Sequence, residues 1–161
     1  MSTITSPSAI ETRVHIRWMI RRDMPEVLAI EHNNQNYPWS EEKFLKCLRQ
    51  RNVIGMVAEH GEKILGFMIY RLHKDRLTVC NFAIEPTHSR QGIGTQMINK
   101  LKGKLFLQRR NMVRFYVRET NLAAQLFLRS QGYVALETFR EYFDDTREDA
   151  YKMEFKIINE P

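Results

Sequence analysis

The segment that most constrains the fold is an apolar strand followed by a basic, glycine-containing turn and an amphipathic helix. Residues 79–84 (Val-Cys-Asn-Phe-Ala-Ile) are typical of a strand. The turn reads Arg-Gln-Gly-Ile-Gly-Thr over residues 90–95, and apolar residues recur at helical spacing as far as Phe106. These patterns predict a strand, a short loop and a helix over residues 92–108.

A turn of this kind predicts a binding site for a phosphorylated ligand. The first N–H groups of a helix have no acceptor within the helix and point towards whatever lies at its start. Gly92 and Gly94 would let the backbone approach that ligand closely, and Arg90 adds a full positive charge. The residues expected to contact the ligand are Arg90, Gln91, Gly92, Ile93, Gly94 and Thr95.

Two common phosphate-binding motifs are excluded by the residues near the glycines. A P-loop requires Lys followed by Ser or Thr directly after its second glycine, and this chain has Thr95-Gln96 there. A dinucleotide-binding turn requires a third glycine three residues beyond Gly94, where Met97 stands. The turn therefore belongs to neither class.

The whole chain predicts the element order βααβββαβαββ. Runs at 53–59, 64–72 and 77–84 are separated by tight turns, which favours an antiparallel meander. Asp23 and Ser40 are the predicted N-caps of the first two helices. The expected fold class is α+β, a mixed and mostly antiparallel seven-stranded sheet with helices on both faces.

Composition and charge argue against several classes of function. Residues 1–13 are expected to form a disordered leader and residues 14–161 a single domain. No run of about 18 apolar residues occurs, so no membrane span is predicted. Two cysteines and five histidines lack metal-ligand spacing, which favours free thiols in a reducing cytoplasm and no metal. The net charge is +6, but the basic clusters are scattered and lack a stacking-aromatic motif, which argues against nucleic acid as the primary partner.

The glycine turn resembles one known family. Residues 89–94 (Ser-Arg-Gln-Gly-Ile-Gly) are similar to the acetyl-CoA pyrophosphate loop Arg/Gln-x-x-Gly-x-Gly/Ala of the GNAT N-acetyltransferases, with Ser89 at the usual Arg or Gln. The predicted element order is also the order of that family, and the resemblance covers roughly residues 16–157. It implies a GNAT fold, acetyl-CoA as co-substrate and acetyl transfer to an amine.

Three further segments, in the correct order, resemble the RimI-type members, which acetylate protein N-termini. They read Tyr-Pro-Trp-Ser at 37–40, Asn-Leu-Ala-Ala at 121–124 followed by Ser-Gln-Gly-Tyr at 130–133, and Glu-Tyr-Phe at 141–143. The resemblance implies a cytoplasmic enzyme whose partner is a protein N-terminus, in particular the N-terminal alanine of a small-subunit ribosomal protein.

The same resemblance assigns roles to individual residues. The backbone of Phe82, Ala83 and Ile84 is expected to pair with the pantetheine arm of acetyl-CoA. Asn121 is expected to contact that arm, with a simple helix cap as the alternative. The residues expected to line the acceptor site are Pro38, Trp39, Tyr142 and Phe143.

The catalytic pair of the RimI-type enzymes is missing from this chain. Tyr116 stands where they carry a Glu base in the fifth strand, and Leu128 stands where they carry a Tyr acid on the fourth helix. A protein α-amine has a pKa of about 7.7–8, so part of it is neutral near pH 7.5 without a base. We therefore expect a slower enzyme, with Tyr116 either relaying a proton through water or packing under the ligand, and Tyr142 as proton carrier or gate.

Two readings compete with an N-terminal acetyltransferase. A catalytically weakened acetyl-CoA-binding regulatory protein would explain the missing pair, and a small-amine acetyltransferase would use the same cofactor turn. The acidic segment 144–149 is either a solvated turn or an attraction for basic peptides such as ribosomal-protein tails.

Overall fold

A computed structural model describes residues 11–158, which form one seven-stranded sheet flanked by four α-helices. The strand order is β1-β2-β3-β4-β5-β7-β6, and of the described pairs β4–β5 is parallel and the others antiparallel. The predicted fold class and element order are therefore confirmed. The strands are β1 (His15–Trp18), β2 (Val53–His60), β3 (Lys63–Leu72), β4 (Arg76–Ile84), β5 (Met112–Arg118), β6 (Val134–Phe139) and β7 (Ala150–Lys156), and the helices are α1 (Met24–Asn34), α2 (Glu41–Leu48), α3 (Ile93–Lys102) and α4 (Leu122–Ser130).

Helices cover both faces of the sheet, as predicted. Helices α1 and α2 bury Val27 and Phe44 against Phe67 and Ile69 of β3. Helix α3 buries one apolar stripe on the opposite face, which also holds Leu128 of α4. None of the helices in the described part of the chain has the length and apolarity needed to cross a bilayer.

Strands β4 and β5 separate partway along their length. They pair only over residues 76–79 and 112–115, so the second half of β4 has no neighbour on that side. The pairing of β3 with β4 passes from Val79 directly to Asn81, which makes Cys80 an extra, bulged residue. The bulge turns Cys80 and Asn81 towards the same helices, since Cys80 packs against the α1–α2 cluster and Asn81 bonds to α1. A cleft therefore opens at the centre of the sheet.

Two sequence-based details differ from the structure. Helix α3 ends at Lys102 rather than near residue 108, with Gly103 as its C-cap and Phe106 exposed, because glycine inside a helix costs about 1 kcal/mol. Asp23 stands at the N-cap position of α1, as predicted, but its side chain makes no capping bond; its carboxylate instead accepts from the Arg17 guanidinium at 2.8 and 2.9 Å and from the Ile20 N–H. Ser40 does cap α2 and accepts from the Lys43 N–H.

Most of the predicted leader, residues 1–10, lies outside the described residues.

Candidate active site

The glycine turn is built as an open anion cradle. Gly92 is the N-cap of α3 with a φ of 79°, a left-handed conformation that favours glycine. A Cβ added at Gly94 would lie 3.1 Å from Phe127 Cζ, so the helix start is held close against α4. Within the described part of the chain, the backbone N–H groups of residues 90–95 donate no hydrogen bond. The turn thus presents several free donors to a ligand, supported by the charge of Arg90.

Residues 12–14, which precede β1, hold the glycine turn through hydrogen bonds. The Thr12 N–H donates to the Gln91 carbonyl at 2.9 Å, and the Val14 N–H donates to Gln96 Oε1 at 3.1 Å. Gln96 Nε2 returns a bond to the Thr12 carbonyl at 2.7 Å. Sequence reasoning missed this contact because the partners are about 80 residues apart and no local pattern marks them. The turn is therefore held in shape before any ligand arrives.

Beside the cradle, the free edge of β4 faces the cleft. The Glu85 N–H donates to the Leu65 carbonyl of β3. Backbone N–H and C=O groups alternate in direction along a strand, so those of Ala83 also point towards β3, while those of Phe82 and Ile84 point away from it. Two side-chain amides already meet this edge: Asn81 Oδ1 accepts from the Phe82 N–H at 2.9 Å, and Asn34 Nδ2 donates to the Ile84 carbonyl at 2.8 Å. No described residue bonds to the Phe82 carbonyl or the Ile84 N–H, so both can pair with an extended ligand.

A buried carboxylate lies at the head of the cleft. Glu31 of α1 is 1% exposed, and its Oε2 accepts from Asn81 Nδ2 at 2.8 Å and from the Trp39 N–H at 3.0 Å. Its Oε1 has no hydrogen-bond partner among the described residues. Burial raises the pKa of this carboxyl, and the bonds from Trp39 and Asn81 only partly offset that rise. The signal for it in the sequence was a charged residue on the same helical face as Val27 and Ile30.

Glu31 and the predicted residues share one cavity. Asn121 caps α4, with Oδ1 accepting from the Ala124 N–H at 3.1 Å, as the helix-cap alternative predicts. It also lines the cavity, and its contact with the pantetheine arm stays a prediction. Leu128 is buried in the wall. The cavity is lined by residues of several elements, among them Glu31, Trp39, Asn81, Phe82, Tyr116 and Asn121.

Aromatic side chains of β5 and the β6–β7 loop form one side of the acceptor region. The Tyr116 ring stacks on Tyr142 with centroids 5.1 Å apart, and Tyr142 meets the edge of Phe143 at 5.0 Å. Burial, with the neighbouring Tyr116 phenol, raises the pKa of Tyr142, which makes that hydroxyl a weaker acid. Pro38 is half-buried and does not line the cavity.

The acidic segment of the β6–β7 loop is partly neutralised. The Arg118 guanidinium donates to Asp145 at 2.6 and 2.8 Å, lies 3.7 Å from Glu148 and sits 4.0 Å over the Phe143 ring. These contacts tie the loop to the end of β5. Asp145 and Glu148 share this one positive partner, and Asp144 and Asp149 form no ion pair among the described residues, so the attraction of the loop for basic peptides stays a prediction.

Neither thiol is placed as a nucleophile. Burial raises the pKa of Cys80 to about 11, so that thiol stays protonated near neutral pH, and Cys47 is buried. No group of three metal-ligating side chains occurs in the part of the chain that the structure describes. The cradle and the free edge of β4 are the parts of this site that can hold an extended, phosphorylated ligand.

Comparison with known proteins agrees with this arrangement. The model of the Acetyltransferase (GNAT) family matches residues 14–133. The chain is 30% identical over 139 residues to the ribosomal protein bS18-alanine N-acetyltransferase of Escherichia coli strain K12, covering 84% of this chain and 92% of that one. The counterpart of the same name from Salmonella typhimurium strain LT2 is 27% identical over the same shares.

Solved structures show the same fold. The ribosomal-protein-S18-alanine N-acetyltransferase from Escherichia coli superposes with a TM-score of 0.76 at 26% identity, over 92% of this chain and 96% of that one. Ard1 from Thermoplasma volcanium gives a TM-score of 0.81 at 20% identity, over 92% and 100% of the two chains.

Proposed function

This chain belongs to the GNAT family of acetyltransferases and is an acetyl-CoA-dependent N-acetyltransferase, and we propose that its acceptor is the N-terminal alanine of a small-subunit ribosomal protein. The observation that carries the proposal is the 30% identity to the bS18-alanine N-acetyltransferase over 84% of the chain. A ribosomal acceptor would place the enzyme in the cytoplasm.

The residues present fit acetyl-CoA. The free N–H groups of residues 90–95, with Arg90, would hold the pyrophosphate. The open carbonyl of Phe82 and N–H of Ile84 would pair with the pantetheine amides, and Asn121 would contact the same arm. When bound, acetyl-CoA supplies a thioester whose acyl carbon is open to attack by an amine.

Glu31 supplies the base that the family's usual position lacks. A protonated α-amine must lose a proton before it can attack, and a carboxylate of raised pKa takes a proton more readily than an ordinary one. Glu31 lines the cavity, and its buried Oε1 has no hydrogen-bond partner among the described residues, so it can receive that proton through one water. Asn81 and the Trp39 N–H hold the other oxygen, which fixes the orientation of the carboxylate.

Tyr116 acts as a wall of the acceptor site rather than as the base. Its ring is stacked on Tyr142, and its hydroxyl accepts from Arg114 Nη1 at 3.4 Å. A hydroxyl that accepts from a guanidinium is poorly placed to collect a proton from an ammonium group. Trp39 and Phe143 complete the wall around the acceptor N-terminus.

The test is mass spectrometry of a mixed panel after incubation with acetyl-CoA. The panel contains peptides that begin with Ala, Ser or Met, an N-blocked Lys peptide and spermidine. One acetyl group on the Ala-initiated peptide is expected, with none on the blocked peptide or on spermidine. Acetylated spermidine alone would identify a small-amine acetyltransferase. Acetyl-CoA binding without any product would identify a regulatory protein.

A further inference from the structure

Five strand ends meet at one end of the sheet, opposite the end that carries the cofactor turn. Val53 at the start of β2 lies opposite Arg71 near the end of β3. Met112 at the start of β5 lies opposite both Arg76, the start of β4, and Lys156, the end of β7. The segments 49–53, 71–76, 104–112 and 156–158 therefore lie side by side, and together they are called the basic end below.

The basic end concentrates the positive charge of the chain. It contains nine of the 25 Lys and Arg residues and one of the 19 Asp and Glu residues, Asp75. The rest of the chain has 16 basic and 18 acidic residues, so the net charge of +6 arises at this end. These residues are scattered along the chain, and the fold brings them together. The nine are Arg49, Arg51, Arg71, Lys74, Arg76, Lys104, Arg109, Arg110 and Lys156.

Most of these charges are free to bind an external anion. Among the described residues, Arg76 alone of the nine forms an ion pair, with Asp75 at 3.0 Å. Burial lowers the pKa of the nearby His73 imidazole, and Arg76 and Arg71 lower it further, as expected beside uncompensated positive charge. None of the nine is buried, and five of them are exposed: Arg49, Arg51, Lys74, Arg109 and Lys156.

Hydrogen bonds between the segments hold this surface in shape. Arg110 Nε donates to the His73 carbonyl at 2.6 Å, which ties the α3–β5 connection to the β3–β4 turn. The Leu72 N–H donates to the Asn52 carbonyl at 2.7 Å, which ties the α2–β2 connection to the end of β3. The charges are therefore held in a fixed arrangement before any partner binds, and less order has to be gained on binding.

Exposed aromatic rings accompany the charges. Phe106 is 64% exposed within segment 104–112. The Trp18 ring is 73% exposed and shares a shallow hollow with Lys104. Proteins that bind single-stranded nucleic acid combine a positive surface for the phosphates with aromatic rings on which bases stack. Both parts of that combination are present at the basic end.

The extent and the composition of the basic end also fit a nucleic acid. It crosses five neighbouring strands, which is about 19 Å at about 4.8 Å per strand, enough for several phosphates of one strand. Six of the nine basic residues are arginines, whose planar guanidinium binds phosphate through two hydrogen bonds. The surface consists of strand ends and loops and not of an amphipathic helix, which disfavours a membrane surface as its partner.

We propose that the basic end is a docking surface for single-stranded RNA, separate from the acetyl-transfer site. Strand β4 runs from Arg76 to Ile84, about 26 Å at about 3.3 Å per residue, so RNA at its start leaves the cofactor turn uncovered. Bound RNA would neutralise the basic end and so remove a repulsion of the positively charged tail of a ribosomal acceptor. The inference goes beyond the proposed function, and RNA is a second partner beside the acceptor protein.

The experiment is fluorescence anisotropy with a labelled, unstructured 12-nucleotide RNA at several salt concentrations. The variant Arg51→Gln/Lys74→Gln/Arg109→Gln removes three exposed charges that form no ion pair among the described residues, so it should fold. We expect its Kd at about 50 mM salt to rise by about tenfold or more. The slope of log Kd against log salt concentration should fall by about 2, since a single strand contributes about 0.7 per neutralised phosphate.

The matched control is Arg13→Gln/Arg22→Gln/Lys63→Gln, which removes the same charge from exposed residues near the β2–β3 turn, at the opposite end of the sheet. Its Kd for the RNA should stay within about twofold of wild type. No RNA binding by wild type at low salt, an unchanged Kd in the first variant, or an equal rise in the control would overturn the proposal.

Phe106→Ala tests whether the partner is single-stranded, because it changes no charge. It should raise the Kd for the single strand by about fivefold or more and leave the Kd for a duplex of the same length within about twofold. The same effect on both, or no effect on the single strand, would contradict the proposal.

Competition distinguishes RNA from other polyanions. Vesicles that contain phosphatidylserine, and polyglutamate, are added at the same concentration of negative charge as the RNA. If either displaces the labelled RNA as well as unlabelled RNA does, the partner is a membrane or an acidic protein and the proposal is wrong. Peptide acetylation is measured separately: RNA binding without acetylation would leave the docking surface and refute the proposed function, and acetylation without RNA binding would do the reverse.

Discussion

Glu31 Oε2 and Asn81 Nδ2 lie 2.8 Å apart, and this bond joins the buried face of α1 to the bulge of β4. The same amide group uses its oxygen to accept from the Phe82 N–H. One asparagine thus connects a buried carboxylate to the strand edge where the thioester is expected to lie. The bulge allows this connection, because a regular strand would turn either Cys80 or Asn81 to the other face.

Replacing Glu31 by Gln should lower kcat by about 10²-fold, because the variant keeps the hydrogen-bond acceptor and loses the base. Activity should recover as the pH is raised towards the pKa of the α-amine, where deprotonation no longer needs help. The measurement is a pH profile of kcat/KM with an Ala-initiated peptide. Glu26→Gln is the control, since Glu26 lies on the same helix and, among the described residues, accepts a hydrogen bond from the Ile64 N–H alone. Equal profiles for wild type and Glu31→Gln would contradict the assignment of Glu31 as the base.

The stability of the fold should also depend on pH through Glu31. Burial raises its folded-state pKa above the unfolded value, so the folded state holds the proton more tightly. The contribution of Glu31 to the free energy of unfolding is fully present below the pKa of the unfolded state. It is lost as the pH rises through the pKa of the folded state. Thermal unfolding of wild type should therefore lose more Tm between pH 4.5 and pH 7.5 than Glu31→Gln does. A larger loss of Tm in Glu31→Gln than in wild type over this pH range would contradict the expected effect of Glu31 on stability.

Gly92→Ala should weaken acetyl-CoA binding and destabilise the fold by about 1–2 kcal/mol, because a side chain is strained at a φ of 79°. Gly103→Ala is the control at the other end of α3, where φ is −63° and alanine fits. It should be neutral or stabilise by up to about 1 kcal/mol. Isothermal titration with acetyl-CoA and thermal unfolding measure the two effects. Unchanged affinity in Gly92→Ala would remove this turn from the binding site.

Tyr116→Phe should keep kcat within about threefold of wild type, because the ring still stacks on Tyr142 and only the hydroxyl is lost. Tyr116→Ala should raise KM for the peptide by about threefold to tenfold, since an aromatic pair is worth about 0.5–1.5 kcal/mol. Tyr116→Glu should give no gain in turnover. A gain in turnover in that variant would indicate that the base belongs at the family's usual position and not at Glu31.

Arg118→Gln should release the β6–β7 loop, because it removes the paired bonds to Asp145 and the contact with Phe143. We expect a higher KM for the peptide and faster limited proteolysis within residues 140–149. Asp144→Asn is the control, since it removes a charge from the same loop and leaves the Arg118 pair intact. Equal proteolysis of the two variants would mean that Arg118 does not hold the loop.

The features that could be predicted from the sequence are those formed by residues close together in the chain. The cradle depends on Gly92 and Gly94, and the cap of α2 depends on Ser40, so both can be read from neighbouring residues. The role of Asp23 could not be predicted, because its carboxylate is used by Arg17 from another element. The Glu31–Asn81 pair spans 50 positions, and its existence depends on a bulge that no local pattern marks.

The contacts of Thr12 and Val14 with the cofactor turn also affect how the protein folds. They join residues 82 and 84 positions apart, and closing so long a loop costs entropy that only late contacts repay. The turn should therefore reach its final shape only after the edge strand β1 has docked on β2. Acetyl-CoA, by binding the finished turn, would stabilise that distant edge strand by mass action, and its cellular concentration would set the fraction of molecules in which the first strand is docked.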